Sequence, residues 1–324
     1  MSHSPNTIAL HNVSKYYNDV AAVKHVSMTI APAQITVIVG TSGSGKSTLL
    51  RMMNRLVPMS EGQITLNGAD ITQQSPIQLR RQMGYAIQGN GLFPHRTVAQ
   101  NIGTVPQLLG WPRARIHARV DELLELFDLP PAQYARKMPH ELSGGQQQRV
   151  GVARALAAEP EILLMDEPFG ALDPVIRAKA QMDLLKIQRQ LGVTIVLVTH
   201  DMDEAFLLGN TIAIMHQGAL RQYATAHTIL TQPADDFCRQ LTSTNDRALK
   251  LLALSQIAPH IRPVTHGLAH SISGTRTLRE ALSEMLWHHE DALAVTDAHG
   301  QTIGAITLEQ VRSLATVSHN QVQP

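Results

Sequence analysis

The sequence predicts an α/β protein: a mostly parallel sheet covered by helices, with a small antiparallel β subdomain, an inserted helical subdomain and a small C-terminal α+β domain. Three observations lead there. Ile35-Thr36-Val37-Ile38-Val39 is an unbroken apolar, β-branched run, as expected of a strand buried on both faces. It enters a glycine-rich turn, and the good helix formers Leu49 to Met53 follow. Ile162 to Met165 and Thr194 to Thr199 are two further apolar runs, separated by a helical stretch through Ala178 to Gln190.

The remaining elements follow in chain order. Thr7 to Leu10 and Val26 to Ile30 read as short strands, and Gln63 to Leu66 as a strand entering the tight turn Asn67-Gly68. Ser75-Pro76-Ile77-Gln78 reads as a helix start with proline at N1 and a capping box. Residues 95 to 158 are helix-rich, with breaks expected at Pro106, Trp111-Pro112 and Pro130-Pro131. Ser243 to Asp246 reads as a polar linker, and an apolar patch opens at Leu251 to Leu254. Thr277 to Glu280 is a capping box heading a helix with Leu278, Ala281, Leu282, Met285 and Leu286 on one side. Ala292 to Thr296 and Thr302 to Thr307 read as a hairpin about the turn Asp297 to Gly300. A last helix spans Leu308 to Leu314, and a frayed tail follows.

Composition narrows the function classes. The chain has 324 residues, 44% hydrophobic, enough for one large and one small core. A net charge of +1 gives no electrostatic footprint for nucleic acid. One cysteine, Cys238, leaves no partner for an internal disulfide and suits a reducing compartment. The longest apolar runs fall far short of the roughly 20 residues that span a bilayer, and Met1 to Pro5 opens no signal-peptide core. A role in transport therefore needs separate membrane subunits.

Gly40-Thr41-Ser42-Gly43-Ser44-Gly45-Lys46-Ser47-Thr48 fits the P-loop pattern between a strand and a helix. Glycines let backbone amides curl around phosphate oxygens at a helix N-terminus. Lys46 supplies a mobile charge to the β- and γ-phosphates of ATP, and Ser47 a hydroxyl to Mg²⁺. Asp166-Glu167 closes the run Ile162 to Met165, with Asp166 placed to hold Mg²⁺ and Glu167 to polarise water as general base. Ser143-Gly144-Gly145-Gln146 reads as a helix N-cap with Gln146 at N3. A second phosphate-binding helix start makes most sense facing the ATP of a second copy of the chain.

These residues together resemble the ATP-binding cassette (ABC) ATPases, members of the P-loop NTPase fold class, over about residues 7 to 240. Leu142 to Arg149 matches the family signature, and Ala171-Leu172-Asp173 is similar to its D-loop. Gln88 stands at the Q-loop glutamine and His200 at the switch histidine. Ser14 to Asn18 is similar to the segment whose aromatic ring stacks on adenine, with Tyr17 at the matching position and Tyr16 one residue away. The resemblance implies a homodimer with two ATPs at its interface, Gln88 beside Mg²⁺, and His200 contacting the γ-phosphate.

The wording of Gly91 to His95 and Thr104 to Leu108 is similar to the quaternary-amine (glycine betaine, choline, carnitine) osmoprotectant importers of bacteria, the alternatives being import of another small solute such as an amino acid and, behind it, a soluble ABC ATPase outside transport. The likeness implies integral membrane permease subunits docking near residues 88–108, and a periplasmic or lipid-anchored solute-binding protein acting indirectly. It implies a peripheral place on the cytoplasmic face of the cell membrane. The expected domains are 1–240, with a helical subdomain at about 88–160, and a regulatory region at 241–324. In the latter, residues 272–315 resemble one CBS repeat, with Gln310 where an adenosine-binding repeat has aspartate. Seven histidines lie in this tail: His260, His266, His270, His288, His289, His299 and His319. They read as solvated surface groups or as pH sensors.

Overall fold

The computed structural model describes residues 7–87, 89, 91–242, 246–263 and 268–315. The chain forms two compact units, residues 1–225 and 226–324, a division earlier than the composition shift near 240.

The first unit opens with the hairpin β1 (Ile8–Tyr17) and β2 (Val20–Ile30). Both strands are longer than their apolar stretches. Asn12 and His25 lie at positive φ and the pairing slips between Leu10 and Tyr16, so the alternation that marks a strand is interrupted. Then come β3 (Ile35–Gly40), α1 (Lys46–Met53), β4 (Glu61–Leu66), β5 (Ala69–Asp70), α2 (Pro76–Arg81) and β6 (Met83–Ala86). The capping box expected at Ser75 is not made: its side chain takes no cap hydrogen bond. Pro76 has no amide to satisfy, and Ile77 and Gln78 are exposed, so water serves the helix start.

The helical stretch comprises α3 (Val98–Ile102), α4 (Thr104–Leu108), α5 (Arg113–Leu126), α6 (Pro131–Tyr134) and α7 (Gly144–Leu156). Pro106 does not break it. It is the third residue of α4, where an amide would lack an intrahelical partner anyway. The first unit ends with β7 (Ile162–Asp166), α8 (Pro174–Leu191), β8 (Thr194–Thr199), α9 (Met202–Leu208), β9 (Thr211–His216) and β10 (Ala219–Ala224). Helix α8 begins before Ala178 because Asp173 caps it, accepting from the amides of Val175 and Ile176.

Among the described residues the unit's strands form a ten-stranded sheet in the order β5-β4-β1-β2-β10-β9-β3-β8-β7-β6. The antiparallel part expected as a separate small sheet joins the rest through one parallel pair, Ala219 opposite Lys24. Strands β3, β8 and β7 are parallel neighbours, with Val39 opposite Thr199 and Val198 opposite Asp166. Their chain ends therefore open on one edge of the sheet, where α/β folds bind ligands.

The second unit contains α10 (Ala226–Thr231), α11 (Asp236–Thr242), α12 (Arg247–Ala253), β11 (Ser271–Ser273), α13 (Leu278–His288), β12 (Ala292–Thr296), β13 (Thr302–Thr307) and α14 (Leu308–Ala315). Most of the linker Ser243 to Asp246 and the tail beyond Ala315 lie outside the described residues. Leu252, Ile272, Leu278, Ala281, Met285, Leu293, Val295, Ile306 and Val311 belong to its core. The Thr277–Glu280 capping box forms as expected. Leu286, expected on the inner side of α13, is instead exposed beside Trp287. The rings of His270 and His288 stack at 4.0 Å and approach Glu290 and Glu284 at 3.2 and 3.5 Å, so these two are held rather than merely solvated. His266 and His319 lie outside the described residues.

Candidate active site

Three chain turns, after β3, β7 and β8, carry the candidate chemistry. After β3 the chain turns through Gly40 to Gly45, with the Ser44 amide donating to the Thr41 carbonyl at 3.2 Å. Gly45 lies at φ +94, and a Cβ there would stand 2.2 Å from the Ala22 carbonyl oxygen, so only glycine fits. Gly45 is also the N-cap of α1 and gives it no side-chain cap. The first-turn amides of α1, beginning with Lys46, Ser47 and Thr48, therefore lack a capping side chain, which suits an anion at that helix start. The buried Ser44 hydroxyl has no hydrogen-bond partner among the described residues. Thr41, Ser42 and Gly43 are exposed.

Lys46 is buried, and its ammonium donates to the carbonyls of Gly40 and Thr41 at 2.9 and 2.8 Å. Burial draws its pKa below the ordinary lysine range, against the pull of Glu167 and Asp166. The Ser47 hydroxyl donates to Asp166 Oδ1 at 2.7 Å. A hydroxyl paired with a nearly sealed carboxylate is a hard oxygen set of the kind Mg²⁺ takes.

Glu167 leaves β7 at φ +46, an unusual conformation for a residue with a side chain. Its amide donates to the Val198 carbonyl at 3.0 Å, tying the turn to β8. His200, one residue beyond β8, places Nδ1 3.6 Å from Glu167 Oε1. A cavity of about 20 Å³ beside them is lined by Glu167, Gly170, Arg177, Thr199, His200 and Glu204, among others. It has room for about one water molecule. Glu204 at its edge is buried and accepts from the Gln181 amide at 2.8 Å; burial raises its pKa above the usual carboxylate range.

The remaining expected residues are more dispersed. Tyr17, at the end of β1, is 49% exposed, with the Lys15 ammonium 5.0 Å from its ring centre. The Tyr16 hydroxyl instead reaches within 3.5 Å of Glu61. Gln88 lies outside the described residues. The Ser143–Gln146 capping box forms in both directions. Ser143 and Gly144 are exposed, and nothing stands within 4 Å of a Cβ placed on Gly144. At Gly145 a Cβ would meet Ile176 Cγ2 at 2.5 Å, so glycine there allows α7 to pack against α8.

Sequence reasoning missed Arg51 and Tyr85, which reach Asp166 Oδ2 at 3.1 and 3.4 Å. The signal was present for Arg51, four residues after Ser47 and so on the same helix face. For Tyr85 the signal is the pairing of β6 with β7, which no local pattern reveals. Gln181 and Glu204 were also missed, being drawn together from helices α8 and α9.

The family profile described as "ABC transporter" matches residues 23–170. The chain is 46% identical over 304 residues to the glycine betaine uptake system ATP-binding protein YehX of Escherichia coli K12, spanning 94% of this chain and 98% of that protein. It is 42% identical over 308 residues to the glycine betaine/carnitine/choline transport ATP-binding protein OpuCA of Bacillus subtilis 168, spanning 94% of this chain and 79% of that protein. Among solved structures it is similar to the dimeric post-hydrolysis state of the ATP-binding cassette MJ0796 bound to ADP and Pi. There the TM-score is 0.60 and the identity 32%, covering 67% of this chain and 98% of that one. With the P-loop, the acidic pair and His200 gathered on adjacent strand ends and these relatives matched along most of their length, the chain belongs to the ABC transporter family, as one of its ATP-binding subunits.

Proposed function

We propose that this chain is the ATP-hydrolysing subunit of a bacterial importer, coupling ATP binding and hydrolysis in a homodimer to uptake of a quaternary-amine osmoprotectant such as glycine betaine or choline. The observation that carries the reading is the 46% identity to a glycine betaine uptake ATP-binding protein over nearly its whole length. In this chain that likeness accompanies a complete set of nucleotide-handling side chains.

Each protomer binds the β- and γ-phosphates of ATP on the α1 amides and Lys46, with Tyr17 against adenine. When bound, Mg²⁺ supplies charge neutralisation on the phosphates; Ser47, Asp166 and Gln88 are the residues to hold it. Glu167 takes a proton from the attacking water, and the small cavity beside it supports that assignment. His200, held near Glu167, stabilises charge developing on the γ-phosphate. Ser143, Gly144, Gly145 and Gln146 serve the ATP of the partner copy; their open helix start supports this. Closure of the two copies on two ATPs is a two-state change biased by the nucleotide.

Permease subunits dock near residues 88–108 at the cytoplasmic membrane face, and a solute-binding protein outside the membrane selects the cargo. No described helix is long and apolar enough to cross a membrane, which supports a peripheral subunit. We read residues 241–324 as a regulatory region with one CBS-like repeat at about 272–315; the order β11-α13-β12-β13-α14 supports this. Gln310 there accepts from the Thr307 amide and donates to the His260 carbonyl, both at 3.0 Å, which favours a structural duty over nucleotide sensing.

The test is uptake of labelled glycine betaine and choline by cells with the gene, without it, and with its Lys46→Ala form, at low and high osmolarity. Loss of uptake both without the gene and with Lys46→Ala is expected. Unchanged uptake of both compounds would overturn the solute assignment.

A further inference from the structure

Three side chains from two elements converge on one carboxylate. Ser47 and Arg51, one turn apart on α1, each take one oxygen of Asp166: Ser47 Oγ on Oδ1 at 2.7 Å, Arg51 Nη2 on Oδ2 at 3.1 Å. The Tyr85 hydroxyl, carried by the neighbouring strand β6, lies 3.4 Å from the same Oδ2. Arg51 and Tyr85 thus meet on the same carboxylate oxygen. Asp166 is 1% exposed, so solvent does little to orient it.

A carboxylate turns about its last torsion in a broad, two-fold well. Rotamer preference therefore leaves the twist of the Asp166 carboxylate plane open, and the surrounding donors set it. With Oδ2 occupied by Tyr85 and Arg51, Oδ1 is left for the Ser47 side, where the metal-holding pair is read. We propose that Tyr85 is a positioning residue that holds the Asp166 carboxylate in its metal-binding orientation. The inference rests on the reading of Asp166 as a holder of Mg²⁺. Groups that orient a metal ligand from behind are often worth an order of magnitude in metal affinity. Arg51 is the poorer probe, because its charge both orients Asp166 and repels a divalent cation, two effects of opposite sign. Tyr85 is neutral, so its loss acts in one direction.

The experiment is Tyr85→Phe in the full chain, which keeps the ring and its packing and removes only the hydroxyl. Mn²⁺ uptake in the presence of ATP is read by electron paramagnetic resonance, and ATP affinity is measured separately in EDTA. The expected result is an affinity for Mn²⁺ about threefold to tenfold weaker, with metal-free ATP affinity and melting temperature unchanged. The Mg²⁺ concentration for half-maximal ATPase rises in parallel, while kcat at saturating Mg²⁺ stays close to that of the unaltered protein. Unchanged Mn²⁺ affinity would overturn the inference, as would an equal loss of metal-free ATP binding, which marks a purely structural role. If the unaltered chain takes up no Mn²⁺ with ATP, the reading of Asp166 itself fails, and the inference with it.

Discussion

Glu204 shows how one buried side chain gives the protein a pH dependence. Its ordinary pKa is 4.5; burial raises it, and the hydrogen bond from Gln181 opposes the rise only in part. Above pH 4.5 the unfolded chain has released this proton while the folded chain still holds it. Stability contributed here therefore falls as pH rises through that window and does not return above it. Glu204→Gln removes the titration and keeps a carbonyl for the Gln181 amide. Thermal unfolding followed from pH 4 to neutral should show the variant gaining on the unaltered protein as pH rises past about 4.5 and running parallel to it thereafter; curves parallel throughout would refute the assignment. Most single residues of the site were legible because phosphate and metal chemistry leave local patterns, as at Lys46, Ser47 and Asp166. Glu204 and Tyr85 were not, because each acts on a residue that only the packed fold brings near.

At the scale of elements, helix starts separate what a sequence states from what the fold decides. Ser143 and Thr277 each make the reciprocal box with a side chain at N3. Ser75 has the same spacing and makes none, because its helix start is open to water and a proline removes one donor. Asp173 was read only as part of a loop motif, yet it caps α8, the 18-residue helix behind the acidic turn. Asp173→Ala should cost about 1 kcal/mol, seen as a lower denaturation midpoint in urea with an unchanged slope. An unchanged midpoint would show that water replaces the cap at no cost. Strands β1 and β2 were legible only where alternation is clean, since bulges and left-handed residues hide the rest.

At the scale of the whole molecule, the joining of the antiparallel strands to the parallel core through Ala219 and Lys24 was invisible to any local pattern. It depends on segments nearly two hundred residues apart in sequence, and only long-range packing selects such a pair. The α/β class was legible by contrast, because buried parallel strands such as Ile35 to Val39 announce themselves by composition. The proposed sharing of ATP between two copies also belongs to this scale, for the open start of α7 has no phosphate to meet unless a partner brings one. Glu167→Gln isolates that claim, because it removes the proposed base and leaves the phosphate-binding residues in place. The decisive measurement is the molar mass of Glu167→Gln by light scattering with ATP and Mg²⁺. The account predicts a stable species at twice the 35.5 kDa of one chain, falling to one chain when ATP is withdrawn. A variant that binds ATP yet remains at the mass of a single chain would contradict it.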